Sequence, residues 1–136
     1  MTKTFSIEQV KSRKRATPEA DLQKQLFDAM RVLMPHGAFY THFPMGGGGF
    51  WHGMRMKRLG AVRGVPDVLI IWEGKTFWLE LKSPDGTLSL EQRCVGEDLR
   101  KAGCRVEVAR SVGQALGHIR SFGIPLRDVP YRVEAA

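Results

Sequence analysis

The sequence predicts a single α/β domain, with a central mixed sheet flanked by helices on both faces. Three observations lead there. Two short apolar runs, Val68–Trp72 and residues 76–81, flank Glu73-Gly74, and their β-branched and aromatic content favours strands joined by a two-residue turn. Both strands are apolar on either side: Leu69, Ile71 and Trp78 on one face, Val68, Ile70, Phe77, Leu79 and Leu81 on the other. That pattern belongs to a sheet covered on both sides. The remaining patterns complete the order helix, strand, hairpin, helix, strand, helix, and a strand–helix–strand link implies a right-handed parallel crossover.

The first helix starts at Thr17-Pro18-Glu19, with an N-cap residue, proline at the first position and an acid in the first turn. It continues to about Met34, ahead of Pro35 and Gly37, along a stripe of Leu22, Leu26, Met30 and Leu33. Residues 38–43 read as a strand closed by Pro44. Residues 45–64 lack a clear period, include the run Gly46-Gly47-Gly48-Gly49 and read as a long mobile connection. After the hairpin, Ser83-Pro84-Asp85-Gly86 is a turn, and Ser89 with Gln92 makes a capping box for a helix ending near Ala102 and Gly103. Residues 104–110 alternate as the last core strand, with Val106 and Val108 inward. Ser111 and Gln114 repeat the capping-box pattern before a helix that carries Leu116, Ile119 and Phe122 to Gly123. Pro125 and Pro130 make residues 124–136 extended or loosely attached. The domain thus spans residues 17–127, between an N-terminal arm at 1–16 and a tail at 128–136.

Composition narrows the class. Hydrophobic residues make up 43% and charged residues 26% of 136 residues, the balance of a soluble globular protein with one core. No apolar run reaches the ~18 residues of a membrane span and no signal-peptide-like region opens the chain, so an intracellular, cytoplasmic location is expected. Cys94 and Cys104 fit no zinc spacing and read as free buried thiols. His36, His42, His52 and His118 show no metal-ligand spacing either. Gly74-Lys75-Thr76 resembles the end of a P-loop, but Leu69 stands where the leading glycine belongs, so no nucleotide cofactor is expected.

The net charge of +7 points to an acidic polymer as partner, nucleic acid rather than a membrane surface, since no basic helix with a strong apolar face is evident. Two stretches concentrate that charge. Residues 1–16 carry Lys3, Lys11, Arg13, Lys14 and Arg15 against one acid, Glu8, and form either a solubilising tail or a set of phosphate contacts. Residues 45–64 hold Arg55, Lys57, Arg58 and Arg63, interleaved with Phe50, Trp51 and Met54, and no carboxylate. Basic side chains there suit phosphates and the aromatics can stack on bases; the alternative is a connection whose aromatics fold back on the core.

The hairpin carries the chemistry. A turn centred on Glu73-Gly74 pairs positions that sum to 147, which sets Trp72 against Lys75, Ile70 against Phe77 and Asp67 against Glu80. Opposed residues share a face, and Lys82, two residues past Glu80, shares it too. Two carboxylates and an ammonium therefore meet at one end of one sheet face. Adjacent like charges are costly, more so when buried, and a divalent cation relieves the cost; oxygen ligands suit Mg²⁺ or Mn²⁺. The plainer alternative is a turn at Asp67 and a structural ion pair between Glu80 and Lys82. Glu19 lies on the apolar stripe of the first helix, either serving the helix dipole or aimed as a third carboxylate at the same cluster.

Pro66-Asp67, followed thirteen positions later by Glu80-Leu81-Lys82, resembles the PD-(D/E)xK nuclease motif. Its surroundings, Gly64-Val65-Pro66-Asp67, Leu79-Glu80-Leu81-Lys82 and then residues 86–92 with Ser89 and Gln92, resemble the VRR-NUC family of that superfamily, over roughly residues 17–127. The resemblance implies a restriction-endonuclease-like core and a metal-dependent endodeoxyribonuclease leaving 5′-phosphates. It implies that Glu19, Asp67 and Glu80 hold Mg²⁺ or Mn²⁺, with the Leu81 backbone carbonyl as a further ligand. Gln23, which follows Glu19, matches the family's helical Glu and later Gln. Lys82, a cation beside carboxylates, would position water or stabilise the transition state rather than act as base. Gln92 would orient the attacking water, beside its capping role. Stand-alone members resemble Holliday-junction resolvases in phage or bacterial settings, so branched DNA and a homodimer are expected. Flap or single-strand cleavage, RNA cleavage and a non-catalytic DNA-binding module are the competing readings.

Overall fold

The computed structural model describes residues 17–43 and 49–128. The arm at 1–16, with Arg13, Lys14 and Arg15, and the tail beyond Asp128 lie outside the described residues. Eight elements follow in chain order: α1 (Pro18–Leu33), β1 (Phe39–His42), α2 (Gly49–Arg58), β2 (Val68–Trp72), β3 (Lys75–Leu81), α3 (Leu90–Lys101), β4 (Arg105–Ala109) and α4 (Val112–Ser121). The sheet order is β1-β2-β3-β4. The first three strands are antiparallel, and β4 lies parallel to β3 after the passage through α3.

The hairpin forms in the expected register, with Trp72 opposite Lys75, Ile70 opposite Phe77 and Val68 opposite Leu79. Glu73 (φ 49°) and Gly74 (φ 74°) both occupy the left-handed region, the geometry of a type I′ turn whose twist matches that of the strands it joins. Val68, Ile70, Phe77, Leu79, Leu81 and Ala109 share one face and are buried against α1 and α4. The α1 stripe of Leu22, Leu26, Met30 and Leu33 meets Val112, Ala115, Leu116 and Ile119 of α4 there. Phe122 stacks on Phe77 with ring centroids 4.6 Å apart.

The opposite face departs from the expected full cover. Helix α3 covers it beside β4, where its buried Gly96 lies against Val106. Among the described residues no helix covers this face over β1 and β2, where Phe39 is 57% and Ile71 36% exposed. Alternation in β4 is correspondingly split. Val106 is buried under α3 and Val108 is half-buried, while Ala109 is the β4 residue in the main core. Apolar residues on both faces of the hairpin do not by themselves require two complete layers.

Three local expectations are corrected. Residues 49–58 form an α-helix rather than a structureless connection, built from good helix formers such as Met54, Arg55, Met56, Lys57 and Arg58. The segment after α4 is anchored: Ile124 is buried, and Arg127 N donates to Leu33 O at 2.7 Å, satisfying a terminal carbonyl of α1. At α4, Ser111 caps as expected, but Gln114 Oε1 accepts from Arg110 N at 2.8 Å. A fourth correction concerns the thiols, expected to be free and buried: both are free, but Cys94 is exposed and Cys104 only half-buried.

Gly64 ties the segment after α2 to the start of α3. Its φ is +90°, and a Cβ there would lie 2.6 Å from Glu91 C and 2.8 Å from Gln92 N. Both the conformation and the space therefore require glycine. Gly64→Ala is expected to destabilise the protein by about 2 kcal/mol or more, read as a lower urea midpoint.

Candidate active site

The open end of the β2–β3 pair gathers the charged groups. Asp67 precedes β2 and lies opposite Glu80 by continuation of the ladder. Its Oδ2 accepts from Leu81 N at 2.8 Å, so the carboxylate is fixed across the hairpin. Glu80 is 4% exposed and Lys82 8% exposed, both within or just beyond a strand of the core. Lys82 Nζ lies 3.7 Å from Glu80 Oε1, an ion-pair distance too long for a direct hydrogen bond. Leu81 is buried between them, and its side chain belongs to the opposite, core face.

Helix α3 supplies the next partner. Its capping box forms: Gln92 N donates to Ser89 Oγ at 3.1 Å, and Ser89 N to Gln92 Oε1 at 2.9 Å. The same amide then donates from Nε2 to Glu80 Oε1 at 2.9 Å. Gln92 thus caps the helix with its oxygen and holds the carboxyl with its nitrogen.

Glu19 comes to this end of the sheet from α1, on the opposite face. Ser83 N donates to its Oε1 at 3.4 Å, which places the carboxylate against the 83–86 turn. The four predicted residues of the hairpin and first helix, with Gln92, are therefore neighbours. Among the described residues, however, no three His, Cys, Asp or Glu side chains stand close enough together to hold an ion directly. Glu19 flanks the pair through the 83–86 turn rather than closing a triad.

That turn has an anchor that the sequence analysis missed. Arg110, just past β4, donates from Nη1 to Ser83 O at 2.7 Å, Pro84 O at 3.4 Å and Gly86 O at 2.6 Å. A lone arginine after a strand gives no local signal; only the parallel crossover brings it to the turn. His118, expected to be structural or on the surface, is structural: its Nε2 pairs with Val108 O at 2.9 Å.

The electrostatics single out Glu80. Burial first, then the charge of Asp67 and hydrogen bonding with it, raise its pKa from 4.5 to about 8; Glu19 adds to the rise and Lys82 opposes it. Its Oε2 is buried with no hydrogen-bond partner among the described residues. An unpartnered carboxylate oxygen beside a second carboxylate is an all-oxygen donor set of the kind that suits a hard divalent cation, and Asp67 and Glu80 are the residues that could hold one.

The basic residues divide. Arg55, Lys57 and Arg58 lie on α2 and Arg63 beyond it, all exposed. Arg55 and Arg58 are three apart, on one side of the helix.

A raised Glu80 pKa has a definite sign. Between pH 4.5 and about 8 the folded metal-free state binds the proton that the unfolded chain has released. The contribution of Glu80 to stability should therefore be full below pH 4.5 and be lost as pH rises through about 8. Thermal melting in chelator across this range should show the decline, and Glu80→Gln should flatten it.

No protein-family profile matches the chain, and no curated protein matches it. Among solved structures it is similar to a protein described as a VRR_NUC domain, with a TM-score of 0.57 and 24% sequence identity over 79% of this chain and 99% of that one. The mixed sheet with helices on both faces and this likeness together establish that the chain has the α/β fold of the VRR_NUC domain structure it resembles.

Proposed function

We propose that this chain is a Mg²⁺- or Mn²⁺-dependent DNA endonuclease that hydrolyses phosphodiester bonds to leave 5′-phosphates. The observation that carries the reading is the convergence of Asp67, Glu80 and Lys82 at one sheet end, with Gln92 bonded to Glu80. Asp67 and Glu80 are the ligands this reading assigns to the metal, with Glu19 and the Leu81 carbonyl completing the shell directly or through water. When bound, such an ion polarises the phosphate and lowers the pKa of a water molecule.

The protein's own groups do the rest. Leu81 N fixes the Asp67 carboxylate, and Gln92 Nε2 fixes one oxygen of Glu80, so neither ligand needs to reorganise. Lys82, nearly buried, places a positive charge where negative charge develops on the phosphate. The Gln92 amide, 2.9 Å from Glu80, is the group this reading assigns to orient the attacking water. The exposed cations of α2 and Arg63 would hold the flanking phosphates, as would Arg13, Lys14 and Arg15.

For the substrate we infer a branched DNA, of the Holliday-junction type, cut by a homodimer whose two sites act on symmetric strands. A non-catalytic DNA-binding module is the second reading, favoured by the absence of a three-carboxylate cluster among the described residues. A cleavage assay on four-way junction, flap, duplex and single-stranded DNA and on RNA, with Mg²⁺, Mn²⁺ or EDTA, separates them. Metal-dependent cuts are expected, with Asp67→Ala and Lys82→Ala each slowing cleavage by about 100-fold or more while DNA binding persists. Binding without cuts under any metal overturns the enzyme reading. Paired cuts across the junction support resolvase action, and cuts only in flaps or single strands replace it.

The charge of α2 has its own readout. Arg55→Ala with Arg58→Ala should reduce the slope of log K against log salt by about 2 on duplex DNA, measured by fluorescence anisotropy.

A further inference from the structure

One aromatic residue shares the row of the carboxylates and has no part in the chemistry above. In the β1–β2 ladder Phe39 pairs with Ile71 and His42 with Val68. The next pair is Phe43 and Asp67, and Phe43 N donates to Asp67 O at 3.2 Å. Alternation along β1 puts Phe43 on the face of Asp67, Glu80 and Lys82. Its ring stacks on Trp78, two residues before Glu80, with centroids 5.7 Å apart and planes 26° from parallel. Phe43 nonetheless remains 38% exposed.

We propose that Phe43, backed by Trp78, is a stacking site for an unpaired nucleobase beside the scissile phosphate. The inference rests on the nuclease reading for the identity of that phosphate. Three features favour a base over other occupants. The ring is flat, supported from behind, and held in the same ladder row as Asp67, so a nucleotide whose phosphate reaches Glu80 has its base within reach of the ring. The cations of α2 and Arg63 lie on the chain between Phe43 and Asp67, which favours an anionic polymer over an apolar peptide. Every base offers a π-face, so stacking would select for an unstacked nucleotide without selecting a sequence. A continuous duplex keeps its bases stacked on one another, whereas a branch, gap or single strand offers one free. Phe43 would thus make the site prefer interrupted DNA.

The test uses the full chain with Ca²⁺ in place of Mg²⁺ or Mn²⁺, and gapped DNA carrying 2-aminopurine at an unpaired position beside the gap. The parent protein should quench the 2-aminopurine fluorescence, and Phe43→Tyr and Phe43→Trp should preserve the quenching. Phe43→Leu keeps an apolar cover over Trp78 but removes the ring, and serves beside Phe43→Ala in case the latter fails to fold. Both should lose quenching and weaken binding to gapped DNA about tenfold more than binding to continuous duplex. No quenching by the parent, equal quenching by Phe43→Leu, or equal loss on both DNAs overturns the proposal. Ring-dependent quenching in a protein that cuts nothing would leave the stacking site standing and remove the nuclease reading. Cutting without ring-dependent quenching would do the reverse.

Discussion

A carboxyl group almost out of reach of water, beside a second carboxylate, is the constraint around which this molecule is arranged. Glu80 sits near the C-terminal end of β3 and is 4% exposed. Desolvation and the Asp67 charge both penalise its ionised form, and the 3.7 Å approach of Lys82 relieves only part of that penalty. The surrounding elements answer the same demand. The type I′ turn fixes the register that opposes Asp67 and Glu80, the Leu81 amide takes up Asp67, and the first turn of α3 delivers Gln92.

The parts legible in the sequence are those set by local rules. The hairpin register followed from two turn residues and a period of two, and the site's core of Asp67, Glu80 and Lys82 followed from the register. Helix starts were legible because Thr17, Ser89 and Ser111 each satisfy a backbone N–H close by in the chain. Glu19 was marked by standing on an apolar stripe. What escaped depends on chain segments far apart. Arg110 and Phe43 reach the site only through pairings with β3 and β2, and neither has an unusual neighbour in sequence. Helix α2 escaped for a different reason: residues 52–60 are all exposed, so there is no buried stripe to produce a period. The half-open sheet face escaped because apolar strand residues report a preference for burial, not whether a second layer extends far enough to provide it.

Gln92 shows how two readings of one residue can both hold. A capping box accounts for its oxygen and leaves its amide nitrogen unassigned; the bond to Glu80 uses that nitrogen. The same loop geometry is enforced from outside by Gly64, whose backbone lies against Glu91 and Gln92, and by Arg110, whose guanidinium gathers three carbonyls of the 83–86 turn.

The groups that define the site are spread along the chain from Glu19 to Arg110, and none of the elements between them contains the whole set. During synthesis, a fragment still attached to the ribosome has the hairpin before it has Gln92, and Gln92 before it has the arginine that pins the turn. Truncated products and partly folded chains therefore lack some of these groups. A chain carries the full set of these groups only once β4 and the residue that follows it have been made.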